Sequence, residues 1–145
     1  MKTILVATDY SDAASNALQY AASLASVVNA DLILFNTYHL SSHASNALVT
    51  PEGIDTMIRH NEEHLEKIAE RTAKKYHINA SGVIKQNDTL SELEAYVTTQ
   101  GVDLVVMGME RDRIEYELFG NTTTAAVRRL TFPILVVPND VPYKG

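Results

Sequence analysis

The chain has 145 residues, room for one domain with a core of its own. A formal net charge of −6 argues against nucleic acid or an anionic membrane surface as partner, since both ask for a basic footprint. With no cysteine there is no disulfide framework, thiol nucleophile or cysteine zinc site, and the apolar run at residues 4–7 is too short for a signal segment or a membrane span, so a cytoplasmic domain is expected.

Residues 3–8 (Thr-Ile-Leu-Val-Ala-Thr) read as a buried strand. Asp9-Tyr10-Ser11-Asp12 breaks it, with Ser11 suited to cap a helix and Asp12 to its first turn. Apolar positions then recur at Ala14, Ala17, Leu18, Ala21, Leu24, Ala25 and Val28 with helical spacing. Asn29-Ala30 ends this helix, and residues 31–37 form a second buried strand. Residues 38–51 are rich in Ser, His and Asn, lack periodicity, and read as a loop. A long amphipathic helix spans 54–76, with Ile54, Met57, Ile58, Leu65, Ile68, Ala69 and Thr72 on its inner side. Glu63 with Lys67 and Glu70 with Lys74 are favourable i,i+4 pairs on the outer side. Residues 78–85 form a weaker strand, suited to a position near a sheet edge. Thr89-x-x-Glu92 is a capping box opening a helix to Gln100, which Gly101 terminates.

The most informative stretch comes last. Asp103-Leu-Val-Val-Met107 is a buried strand running to Gly108, residues 109–119 are a polar loop, and Gly120-Asn121-Thr122 opens a helix to 130. Pro133-Ile134-Leu135-Val136-Val137 is the closing strand. A phosphate-sized anion would suit this turn, because a helix N-terminus offers unpaired N–H groups and a positive dipole end. The order β-α-β-α-β-α-β-α-β implies a parallel sheet covered on both faces, with ligands beyond the strands' carboxyl ends. Asp9, Thr37 and Gly108 all follow strand ends and would converge there. Residues 139–145 read as a linker-like tail after an α/β domain of residues 1–138.

Taken together, Ile-Leu-Val-Ala7-Thr8-Asp9-Tyr-Ser11, Leu-Val-Val-Met107-Gly108, the later Gly120 and Pro133-Ile-Leu-Val-Val-Pro138 resemble the universal stress protein family over essentially the whole chain. The resemblance implies a three-layer α/β/α fold, Rossmann-like and similar to the adenine nucleotide alpha hydrolases. It further implies a five-stranded parallel sheet of order 3-2-1-4-5, a cytoplasmic role in stress response, and pairing through the last strand. It places Ala7, Thr8 and Asp9 at the adenosine end of a nucleotide site, Thr37 beside the base, and Met107, Gly108, Arg111, Gly120, Asn121 and Thr122 along the phosphates. ATP-binding members carry G-x2-G-x9-G-[ST] after the fourth strand. Here Gly108 matches the first glycine, Arg111 stands at the second, Gly120 arrives one residue early and Asn121 replaces the hydroxyl residue. Arginine tolerates poorly the backbone freedom a glycine offers there. Residues 109–119 set four acidic side chains against two arginines, net −2, and would repel a triphosphate unless Mg²⁺ intervenes. Against this, Arg111 could itself grip phosphate bidentately, and Gly120 with the threonines after it could make an anion nest.

His60-Asn61-Glu62-Glu63-His64 fits the His-x-x-Glu-His string of inverted zinc peptidases, with two histidines on one helix face. Without a clear third ligand it reads as the solvated flank of the long helix, and no metal site is assigned. No nucleophile elbow, P-loop or G-x-G-x-x-G is present. The leading expectation is a non-enzymatic binding and regulatory module whose nucleotide site has degenerated, acting on a protein partner. The alternative is a switch that binds ATP with Mg²⁺ and orders loop 109–119 around it. A weak nucleotide hydrolase ranks third, since no general base paired with a water-activating group is evident. The apolar run Ile134, Leu135, Val136, Val137 is a liability if it forms a sheet edge. A homodimer across it, or pairing with a second such domain in tandem, is expected.

Overall fold

The computed structural model describes residues 2–38, 51–86, 89–109 and 132–138. The expected loop over 109–119, the helix to 130, the tail 139–145, and residues 39–50 of the first loop lie outside them almost entirely, Met109 alone excepted. The described elements are β1 (Thr3–Ala7), α1 (Asp12–Val28), β2 (Asp31–Tyr38), α2 (Pro51–Tyr76), β3 (Ala80–Gln86), α3 (Thr89–Gln100), β4 (Leu104–Met109) and β5 (Ile134–Pro138).

The five strands form one sheet in the order β3-β2-β1-β4-β5, every pairing parallel, as expected. Alternation along each strand divides the core in two. Ile4, Val6, Leu32, Leu34 and Val106 face α1 and α2, where Ala17, Ala21, Ala25, Leu65 and Ala69 are buried against them. Leu5, Phe35, Val105 and Met107 face α3, with Leu90, Leu93 and Val97. The alanine face of α1 lets its backbone lie close on the sheet, and six alanines of this helix are buried.

Three details differ from the sequence reading. Met57 and Val28, assigned to apolar faces, are 62% and 37% exposed, while Ala13 and Ala22 are buried instead. Residues 52–64 of α2 carry no buried side chain, and its apolar anchorage to the sheet begins at Leu65. The fourth strand does not stop before its glycine, because Gly108 pairs with Val137 inside the ladder. The third strand is an edge, and β5 is the other. Among the described residues, no helix is long and apolar enough to cross a membrane.

Candidate functional site

The carboxyl ends of β1, β2 and β4 surround a cleft of about 290 Å³. It lies where the chain leaves β1, the strand whose two neighbours, β2 and β4, mark the switch in strand order. Six residues expected from the sequence line it: Ala7, Thr8, Asp9, Thr37, Met107 and Gly108. Arg111, Gly120, Asn121 and Thr122 lie outside the described residues. Four further lining residues, Ser11, Ala14, Phe35 and Thr89, were not expected. Ser11 and Thr89 stand at helix starts, where local sequence accounts for them as caps and gives no sign that they also face a cleft.

The lip of the cleft is the turn from β1 into α1. The Thr8 N–H donates to the Phe35 carbonyl at 2.8 Å, continuing the β1–β2 ladder by one residue. The next N–H groups are satisfied locally: that of Tyr10 by Thr8 Oγ1 at 3.1 Å, and that of Ser11 by Asp9 Oδ1 at 3.0 Å. Ser11 Oγ in turn accepts from the Ala14 N–H at 3.1 Å, the helix cap anticipated from its position. These bonds hold Asp9, an exposed residue, at the mouth of the cleft beside the first turn of α1, where negative charge is favoured. On the opposite wall the hydroxyls of Thr37 and Thr89 share a hydrogen bond, joining β2 to the start of α3.

Gly108 has a packing reason for being glycine. A Cβ built on it would lie 2.3 Å from the Ala13 carbonyl oxygen and 2.7 Å from the Ala13 carbonyl carbon. The space that a phosphate-approach reading would leave open is taken by the backbone of α1.

Behind the lip runs a chain of polar side chains. Asn36, 5% exposed, donates through Nδ2 to the Thr8 carbonyl at 2.8 Å. Its Oδ1 accepts from Asn61 Nδ2 at 2.9 Å, and Asn61 Oδ1 accepts from the Tyr10 hydroxyl. Tyr10 sits at φ 65°, costly for a bulky residue, and its ring meets the His64 ring at 4.7 Å. Burial pushes the Tyr10 phenol up from its ordinary pKa. Nothing in the sequence pattern marked Asn36 or Asn61. His60, Glu63 and His64 belong to no group of three or more acidic or imidazole side chains able to hold a metal ion among the described residues.

The chain matches the universal stress protein family model over residues 1–138. Among solved structures it is similar to the universal stress protein UspA from Lactobacillus plantarum, at 24% identity and a TM-score of 0.75 over 94% of this chain and 97% of that one. It is similar to a universal stress protein in complex with cAMP, at 21% identity and a TM-score of 0.69 over 96% and 98% of the two chains. A third likeness is to a universal stress protein family protein from Arabidopsis thaliana with AMP bound, at 15% identity and a TM-score of 0.68 over 95% and 92%. No curated protein matches the sequence.

Proposed function

The chain belongs to the universal stress protein family, and from that premise we propose that it is a stress-response binding and regulatory module whose cleft takes the nucleoside end of an adenine nucleotide. The observation that carries this is the convergence of Ala7, Thr8, Asp9 and Thr37 on one cleft at the switch in strand order. At about 290 Å³ the cleft stands at the small end of ligand pockets, which run from about 300 to 1,000 Å³, and its described walls suit a nucleoside. The residues fit such a group. Asp9 would accept from ribose hydroxyls, Thr37 would meet the base, and the Thr8 and Ser11 hydroxyls, already accepting from backbone, keep protons to donate. AMP and cAMP occupy two of the similar structures, which supports an adenine nucleotide as the ligand. Arg111, the early Gly120, Asn121 and the net-negative loop 109–119 weaken the phosphate end. An ATP and Mg²⁺ switch is the second reading, favoured by Arg111 and by the Gly120-Asn121-Thr122 nest.

The module is residues 1–138, cytoplasmic and without a catalytic role, and 139–145 serve as a linker. It pairs through β5, with a second copy or a tandem domain, since Ile134, Leu135 and Val136 are only half-buried on an edge strand. Light scattering should return twice the chain mass, and Val136→Lys should halve it; a monomer at high concentration would refute the pairing.

Calorimetric titration of AMP, cAMP and ATP, with and without Mg²⁺, into nucleotide-free protein tests the binding reading. Micromolar AMP binding is expected, no weaker than ATP binding and reduced about tenfold by Asp9→Ala through loss of a charge-assisted hydrogen bond. ATP binding far tighter than AMP and dependent on Mg²⁺ would promote the switch. No heat and no thermal shift with any of them at millimolar concentration would sink both readings.

A further inference from the structure

Tyr10, Asn36 and Asn61 stand behind the cleft, and none of the three lines it. Their hydrogen bonds nevertheless return to the turn that does. The series leaves the Thr8 carbonyl, passes through β2 at Asn36, crosses to α2 at Asn61, and re-enters the turn at the Tyr10 hydroxyl. Its polarity follows from its first member. A carbonyl only accepts, so Asn36 must present its amide nitrogen there and its oxygen to Asn61. Asn61 must then present its nitrogen to Asn36 and its oxygen to Tyr10, whose hydroxyl must donate. One acceptor thus sets the orientation of both amides, and no buried side-chain nitrogen or oxygen among the described residues lacks a partner.

The bonds inside the turn join near neighbours: Tyr10 N–H to Thr8, Ser11 N–H to Asp9. They do not tie the turn to the rest of the fold, and they hold Tyr10 in a backbone conformation that a bulky residue seldom adopts. Asn61 and His64, one helical turn apart on α2, grip the Tyr10 side chain by its hydroxyl and by its ring. Asn61 also stands at a junction in its helix. Residues 52–60 carry no buried side chain, whereas Leu65, Ala69 and Thr72 anchor the rest.

We propose that Asn61, acting through Asn36 and Tyr10, is a positioning residue for the Thr8–Tyr10 turn, so that helix α2 and the ligand cleft are coupled. The coupling rests on the nucleotide reading above; the positioning of the turn does not. A ligand that requires the turn in place steadies the start of α2, and by reciprocity a contact that steadies the start of α2 strengthens ligand binding.

Hydrogen exchange on the ligand-free chain tests the positioning, and AMP titration of the same variants tests the coupling. Asn61→Leu keeps the branching and the number of side-chain heavy atoms, raises helix propensity slightly, and removes both bonds. It should speed exchange of the Tyr10 and Ser11 amides about tenfold, the worth of one net hydrogen bond, with helical circular dichroism unchanged. AMP binding should weaken by a similar factor. Tyr10→Phe, which keeps the ring, should shift both readouts the same way by less. The double variant should be no worse than Asn61→Leu alone, because the two residues act in one series. Unchanged turn exchange in Asn61→Leu, or additive effects in the double variant, would overturn the proposal whether or not AMP binds. Faster exchange in a protein whose wild type ignores AMP would uphold the positioning and refute the nucleotide reading instead. If Asn61→Leu fails to fold, Tyr10→Phe decides by the same exchange readout.

Discussion

Among the described residues, four stand at positive φ, and they divide between the two ends of the sheet. At the amino-terminal end of the strands, α1, α2 and α3 finish at Asn29, His77 and Gly101. Each is followed by a residue whose N–H reaches back five positions: Ala30 to the Ala25 carbonyl at 2.9 Å, Ile78 to Ala73 at 3.2 Å, Val102 to Val97 at 3.4 Å. These are three copies of one Schellman motif, each with an apolar residue after the left-handed one, and each is made from partners five positions apart. At the other end the left-handed residue is Tyr10. Its supports lie 51 positions away at Asn61 and, through Asn36, tie back to Thr8 across separations of 25 and 28. Turns that only reverse the chain are built locally. The turn that lines the cleft is built by three elements at once.

Three substitutions put pressure on that contrast. The largest effect is expected at Gly108→Ala, at the cleft end, because the new Cβ would collide with the Ala13 backbone rather than with a yielding side chain. A loss of about 3 kcal/mol in urea unfolding is expected, the upper range for overpacking. A loss below about 1 kcal/mol would mean that α1 can shift and that this end is softer than described. Next is Tyr10→Gly. It relieves the backbone conformation but removes the ring contact with His64 and leaves Asn61 Oδ1 without its donor, for a net loss of about 1–2 kcal/mol by the same measurement. The smallest is His77→Gly, where the same change of residue type meets a purely local turn and should stabilise by about 0.5 kcal/mol. If glycine stabilises at both Tyr10 and His77, the two ends do not differ in the way proposed.

Much of the fold was readable because its signals are local. The alternating strand and helix runs, the Ser11 cap and the Asn29 and Gly101 stops each follow from residues within a few positions of one another, while the strand order was what the family resemblance implied. The two errors of burial, Met57 and Val28, come from periodicity continued past the point where a helix leaves the sheet. Six of the ten residues that line the cleft were legible, in part for a related reason. Asp9, Thr37 and Gly108 follow strand ends that can be found by reading along the chain, and the family resemblance added Ala7, Thr8 and Met107. Thr89 and Phe35 could be placed there only once α3 was known to cover the face of the sheet to which Phe35 belongs.

The sequence by itself therefore determined the element order, a parallel sheet covered on both faces, and the residues that follow the ends of β1, β2 and β4. Only the tertiary structure decided why Gly108 must lack a side chain, which hydroxyls face the cleft, and how Tyr10 is held. The physical reason is the range of the contacts. Periodicity and capping record interactions over one to five positions, whereas the amide series through Asn36 and Asn61 joins residues 25 to 51 apart and leaves no repeat in the chain to be read.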